Sequence, residues 1–121
     1  MNLVEILGIL GIHWFADFVL QTDKQAKGKS KEWGPLLNHT VNYSVVWLFL
    51  SLGYAGITEC KEILWFAPIT FFCHTITDYI TSRENSKLWE QGKVHNFFVS
   101  VGFDQYLHYI QLFLTYWYLT K

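Results

Sequence analysis

The stretch WGPLLNHTVNYSVVWLFLSLGYAGIT, residues 33–58, decides the fold because it contains no Asp, Glu, Lys or Arg. A helix needs about 20 mostly apolar residues to cross the hydrocarbon core of a membrane. Three further stretches contain only one charged residue each: Asp17 in 6–22, Asp78 in 63–82 and Asp104 in 94–120. Helices of a soluble bundle would carry charged residues along their outer faces. The sequence therefore predicts an all-α protein, a four-helix transmembrane bundle.

The four predicted helices use nearly the whole chain, so we expect a single integral membrane domain over residues 1–121. Their expected bounds are about 3–21, 36–57, 62–82 and 95–120. Two Cys residues are too few for a disulfide scaffold. Nine Lys and Arg against ten Asp and Glu leave no basic excess, so no nucleic-acid binding is predicted.

Charge asymmetry predicts how the bundle lies in the membrane. Seven of the nine basic residues fall in the two predicted loops 22–35 and 83–94, which lie on the same side because two helices separate them. The positive-inside rule places both loops in the cytoplasm and both termini outside, as expected for a protein of the bacterial inner membrane.

A short pattern occurs twice, at the same end of the first and third predicted helices. His13 precedes Asp17 by four residues, and His74 precedes Asp78 by the same spacing. Membrane proteins are often built from structural repeats, with the functional site at the repeat interface. The pattern indicates that the bundle consists of two parallel helical hairpins.

Each acidic residue within an apolar stretch has a His four positions away, the third pair being Asp104 and His108. Residues four apart lie on one face of a helix, and imidazole with carboxylate at this spacing offers two ligands to one metal ion. Counted along the helices, the three pairs and His39 lie at similar depths near the basic loops. The predicted ligands are therefore His13, Asp17, His39, His74, Asp78, Asp104 and His108.

These ligands exceed the needs of one ion, so we expect one or two divalent metal ions, with Asp78 as a candidate bridging ligand. Mixed imidazole and carboxylate ligands favour zinc, with manganese or iron as alternatives. Hydrogen bonds between His and Asp of neighbouring helices are an alternative explanation of the same pattern.

Further polar residues flank the predicted site. A free carboxylate, Asp17 or Asp104, is the candidate proton acceptor in catalysis. The candidate substrate-binding residues are Gln21, Arg83, Lys87 and Gln105. Alternatively, the two glutamines cap helix ends, and Arg83 and Lys87 only fix the orientation of the helices in the membrane.

The motifs HWFADFVLQTDKQAKGK (13–29), HTITDYITSR (74–83) and FDQYLHYIQLF (103–113) resemble those of an uncharacterised family of small bacterial and phage membrane proteins. That resemblance implies a membrane location and metal binding. A looser similarity is to membrane-bound metal-dependent hydrolases, which in turn resemble the zinc-dependent phospholipase C group.

The expected function is metal-dependent hydrolysis of a phosphoester or ester in a lipid or lipid-linked substrate at the cytoplasmic leaflet. The expected partners are membrane lipids and an amphiphilic or phosphorylated substrate, and an oligomer is compatible with the sequence. A proton or divalent-ion transporter, and a non-enzymatic membrane protein with a structural metal, are the alternatives.

Overall fold

The computed structural model describes the whole chain, Met1–Lys121, and confirms the expected all-α class: five α-helices and no strand. Helix α1 continues into a π-helical turn, Phe15–Val19, and a 3₁₀ turn, Lys61–Trp65, leads into α4. The helices are α1 (Leu3–Trp14), α2 (Asp23–Gly28), α3 (Trp33–Thr58), α4 (Phe66–Glu90) and α5 (Val94–Thr120).

Local sequence accounts for several helix ends. Asn2 and Glu5 form a capping box at the start of α1, in which each side chain accepts a hydrogen bond from the other residue's backbone N–H. Helix α4 ends at a turn that contains Gly92 with φ of 69°, a left-handed conformation that glycine adopts without a steric penalty. Glu59, at the end of α3, also has a left-handed backbone conformation, with φ of 62°.

One predicted boundary is wrong. The third helix was expected to end near residue 82, but α4 continues to Glu90, and only Gln91–Lys93 connects it to α5. Residues 83–90 contain no Pro or Gly, so nothing in this charged segment interrupts the helix. The loop expected over 83–94 is therefore mostly two further turns of helix.

Many buried side chains are polar, and many large apolar side chains are exposed. Fourteen of the 24 buried residues are polar or charged, whereas large apolar side chains such as Val4, Phe49 and Ile57 are exposed. Two helical segments, Trp33–Thr58 and Lys61–Glu90, are long and apolar enough to cross a membrane. Two such segments agree with membrane association, and the four-span arrangement stays a prediction.

A small apolar core fills the half of the bundle that contains the chain termini. Trp47 of α3 packs on Phe66 of α4 with ring centroids 5.0 Å apart, and Ile63 and Leu112 are buried in the same cluster. The buried His and Asp residues lie closer to the opposite end, where α2 and the α4–α5 connection are found. The core therefore fixes the helices that carry the polar cluster.

Helix α2 is held against the start of α3 by a close approach at Gly28. A Cβ atom at this position would lie 2.7 Å from the Cγ of Pro35, so only glycine fits without a shift of the backbone. This contact places Lys29 over the end of the bundle.

Candidate metal centre

Six of the predicted ligands form one buried cluster, to which three α-helices and the π-helical turn contribute. They are Asp17 of the π-helical turn, His39 of α3, His74 and Asp78 of α4, and Asp104 and His108 of α5. In the π-helical turn, the Leu20 N–H donates to the Phe15 carbonyl at 3.0 Å. Such turns are rare within helices and frequent at functional sites.

The first group of ligand atoms comes from Asp17, His39, His74 and Asp78. The Nε2 atoms of His39 and His74 lie 3.3 Å apart, and they lie 3.3 and 3.4 Å from Oδ2 of Asp78. Oδ1 of Asp17 lies 2.9 Å from the His39 nitrogen and 3.5 Å from that of His74. A tetrahedral zinc site with bonds of 2.0–2.1 Å would place its ligand atoms about 3.3–3.4 Å apart. Four of these five separations, 3.3–3.5 Å, are close to that value, whereas the 2.9 Å between His39 and Asp17 is a hydrogen-bond distance.

A second group shares one residue with the first. Nε2 of His108 lies 3.2 Å from Oδ1 of Asp78 and 3.2 Å from Oδ1 of Asp104. The two oxygens of Asp78 therefore face different groups, Oδ2 the first and Oδ1 the second. A carboxylate placed in this way can bridge two metal ions, as expected for this residue from the sequence.

Hydrogen bonds account for some of the contacts in the cluster, such as that between His39 and Asp17, but not for all those of His74. Nε2 of His74 lies within 3.5 Å of three atoms, from His39, Asp17 and Asp78, and a neutral imidazole nitrogen carries at most one proton. A cation at the centre of the group would satisfy all of these atoms together. The buried His and Asp residues can thus hold a metal ion, and nothing in their chemistry separates zinc from manganese or iron.

His13 occupies a different place from the one predicted, because both of its ring nitrogens have other partners. Oε1 of Gln105 lies 2.7 Å from Nε2, and the hydroxyl of Tyr43 lies 2.7 Å from Nδ1. His13 belongs to neither ligand group, and its nearest approach to one of the three carboxylates is 3.5 Å, to Oδ2 of Asp17.

The partners of His13 define a directed chain of hydrogen bonds. The amide of Gln105 donates to Oδ2 of Asp104 at 3.0 Å, so its oxygen accepts from Nε2–H of His13. Nδ1 of a neutral His13 is then the acceptor for the Tyr43 hydroxyl. The chain from Tyr43 through His13 and Gln105 orients Asp104, and the Thr81 hydroxyl donates to the other oxygen of Asp104 at 2.6 Å.

Lys29 contributes the one ammonium group in contact with the cluster. Its Nζ lies 3.2 Å from Oδ2 of Asp78, and its side chain is 20% exposed. Burial lowers the pKa of Lys29, but the negative charges of Asp78 and Asp17 raise it more, so the pKa lies above its usual value. Lys29 therefore stays charged and offsets one of the three carboxylates.

Tyr43, Thr81 and Lys29 were not predicted as site residues. Tyr43 follows His39 by four positions, and its ring stacks on His74 with centroids 3.9 Å apart, so helical spacing would have found it. Thr81 follows Asp78 by three positions, which is also helical-face spacing. Lys29 was assigned to the basic loop, and no sequence pattern distinguishes it from the neighbouring lysines.

A cavity of about 730 Å³ lies beside the cluster at the basic end of the bundle. Asp17 and Asp104 line it, as do two of the predicted substrate-binding residues, Gln21 and Gln105.

The other two predicted substrate-binding residues, Arg83 and Lys87, do not line this cavity. The guanidinium of Arg83 lies over the ring of Tyr79, 3.6 Å from its centroid, and donates to the Tyr79 carbonyl. Residues 82, 85, 86 and 89 of α4 face the cavity instead, whereas Arg83 and Lys87 share another face of that helix.

The fold and the cluster define an all-helical protein with a buried His/Asp site that can hold a metal ion. Residues 6–121 match DUF3307, a family described as a protein of unknown function, and the chain belongs to this family. That assignment agrees with the expected uncharacterised family. Comparisons with curated proteins and with solved structures gave no match.

Proposed function

We propose that this protein is an integral membrane metal-dependent hydrolase that acts on a phosphoester or ester of a lipid or lipid-linked substrate. The observation that carries the proposal is the position of Asp78 between two His/Asp groups, beside a cavity lined by lysines. Shared carboxylates of this kind are characteristic of two-metal hydrolytic sites.

The membrane part of the proposal is supported by the exposed apolar side chains, which occur on all four long helical segments. Soluble monomers rarely expose contiguous apolar patches of more than a few hundred Å². In the proposed arrangement the four segments cross the bilayer, and the basic end of the bundle with the cavity faces the cytoplasm.

Charge balance supports a bound cation. The carboxylates of Asp17, Asp78 and Asp104 against the ammonium of Lys29 leave two negative charges unbalanced when the histidines are neutral. Buried charges are costly unless they are compensated, and one divalent ion compensates both. A second ion in the group of His108 would make the site positive, which suits an anionic phosphate substrate.

The metal would lower the pKa of a bound water toward about 7 and so supply hydroxide at neutral pH. Asp17 is the better placed proton acceptor of the two candidates. Its Oδ2 has only a 3.5 Å contact with His13, whereas both oxygens of Asp104 accept hydrogen bonds. Both residues line the cavity, where a substrate would reach them.

The transporter alternative needs polar groups through the whole depth of the membrane. The end of the bundle opposite the cluster has a cavity of about 250 Å³ with mostly apolar lining residues, among them Trp47, Ile63 and Phe66, which favours a closed catalytic site over a conduit.

The test is hydrolysis by the purified protein in detergent, loaded with zinc or manganese, of p-nitrophenyl phosphate and bis(p-nitrophenyl) phosphate. We expect release of p-nitrophenol that chelation abolishes and that Asp17→Asn lowers about 100-fold or more. Asp23→Asn, at an exposed position outside the cluster, is the matched control and retains the wild-type rate. A metal-loaded protein that hydrolyses neither ester above background would overturn the proposal.

A further inference from the structure

The cavity beside the cluster has a wall of polar side chains that extends well away from the candidate metal ligands. Ser82 and Asn85 of α4 and Gln21, after the π-helical turn, line it together with lysines of the segment around α2. Its volume, about 730 Å³, is of the size found for sites of organic ligands and much larger than a phosphate ion requires.

Three polar atoms of this wall are buried and have no hydrogen-bond partner: Oε1 of Gln21, Oγ of Ser82 and Oδ1 of Asn85. Ser82 is 6% exposed. The neighbouring hydroxyl of Thr81 donates to the carbonyl of Thr77, four residues earlier, but that of Ser82 does not. Because an unpaired buried polar atom costs about 1–3 kcal/mol, these positions favour a ligand that supplies hydrogen-bond donors.

Three lysines and one glutamate, Glu90, also line the cavity. Lys27, Lys29 and Lys31 line the cavity, and Lys29 also contacts Asp78 of the cluster. Lysine ammonium groups are common partners of phosphate oxygens. The lysines and the candidate metal centre thus attract an anion to one region of the cavity. In another region, the amide and hydroxyl oxygens favour ligand groups that donate hydrogen bonds.

We infer that the cavity binds a phosphate ester that carries hydroxyl groups, with its phosphate at Lys29 and the cluster and its hydroxyls at Ser82, Asn85 and Gln21. This inference rests on the proposed function and specifies its substrate class. A glycerol-phosphate headgroup of a lipid and a soluble polyol or sugar phosphate share this chemistry.

The experiment compares two phosphonates that cannot be hydrolysed, dihydroxybutylphosphonate and butylphosphonate, in calorimetric titrations of the metal-loaded full-length protein in detergent. They share the charged group and differ only in the hydroxyls. We expect the hydroxylated compound to bind about tenfold tighter or more, as two or more hydrogen bonds imply. Ser82→Ala and Asn85→Ala each weaken its binding about fivefold and leave butylphosphonate unchanged.

Two matched variants serve as controls. Ser44→Ala removes another buried hydroxyl without a partner, but Ser44 does not line the cavity, so binding is unchanged. Lys31→Met weakens both phosphonates about threefold, whereas Lys87→Met, also at the basic end, has no effect.

Equal affinity for the two phosphonates, or equal effects of Ser82→Ala and Ser44→Ala, would overturn the inference. Metal content measured on the same samples separates this result from a failure of the proposed metal centre. Repeating the titration in nanodiscs with and without phosphatidylglycerol identifies the source of the ligand. Competition by this lipid assigns the cavity to a membrane headgroup, and unchanged binding assigns it to a soluble phosphate ester.

Discussion

The two oxygens of Asp78 face different histidines, and this one side chain joins the two halves of the cluster. The spacing of His and Asp within apolar stretches predicted five of the six clustered residues and the depth of His39 predicted the sixth, because burial of such groups in a membrane is costly without compensation. It did not predict the place of His13. Sequence spacing shows on which face of a helix a histidine lies. It does not show which residues of the other helices contact the two ring nitrogens.

The position of His13 leads to a prediction that distinguishes two roles for this residue: binding the metal directly, or orienting another residue that binds it. We expect His13→Ala to retain bound metal and weaken its affinity about tenfold, since it removes only the chain of hydrogen bonds that orients Asp104. His74→Ala removes a ligand atom and loses the metal. Competition with a chromophoric chelator measures both affinities. Equal losses in the two variants would show that His13 is itself a ligand, as the sequence pattern alone suggested.

At the scale of the helices, apolar length predicted the four long segments but not every boundary. The end of α4 was missed because the charged residues after Ser82 resemble a loop in composition, yet they include no residue that stops a helix before Gly92. Helix α2 was missed because it has only six residues, and its position depends on the contact of Gly28 with Pro35.

The close contact between Gly28 and Pro35 predicts that an alanine at position 28 destabilises the protein. Gly28→Ala places a Cβ atom against the ring of Pro35, so we expect it to destabilise the protein by about 1–3 kcal/mol. Gly102→Ala is the control, because nothing lies within 4 Å of its added Cβ and alanine favours the helix. Thermal unfolding in one detergent, followed by circular dichroism, compares them. A Gly28→Ala variant that melts at or above the wild-type temperature would show that the contact with Pro35 does not restrict this position.

In the whole molecule, more than half of the buried residues are polar or charged and many large apolar side chains are exposed, which agrees with the membrane association predicted from the charge pattern of the sequence. The two basic segments lie at the same end, since the hydroxyl of Ser86 in α4 donates to that of Ser30 at 2.8 Å. That geometry is compatible with the topology predicted from the positive-inside rule, in which both basic segments lie in the cytoplasm.

Labelling of single cysteines checks the topology. In a background with Cys60 and Cys73 replaced by Ser, we expect Lys27→Cys to react with an impermeant maleimide only after the membrane is opened. Glu59→Cys, at the opposite end of the bundle, should react in intact cells. Reaction of both positions in intact cells would exclude the four-span arrangement with cytoplasmic basic loops.

Elemental analysis of the purified protein measures how much metal the cluster holds in the wild type, in Asp78→Asn and in the control Asp23→Asn. A cluster with a shared carboxylate predicts about one or two divalent ions per chain in the wild type and in the control. Asp78→Asn keeps the shape of the side chain but loses the charge that both groups share, so it should lose most of the metal and still fold. Wild-type protein without metal, or Asp78→Asn with undiminished metal, would contradict the assignment of this cluster as a metal centre.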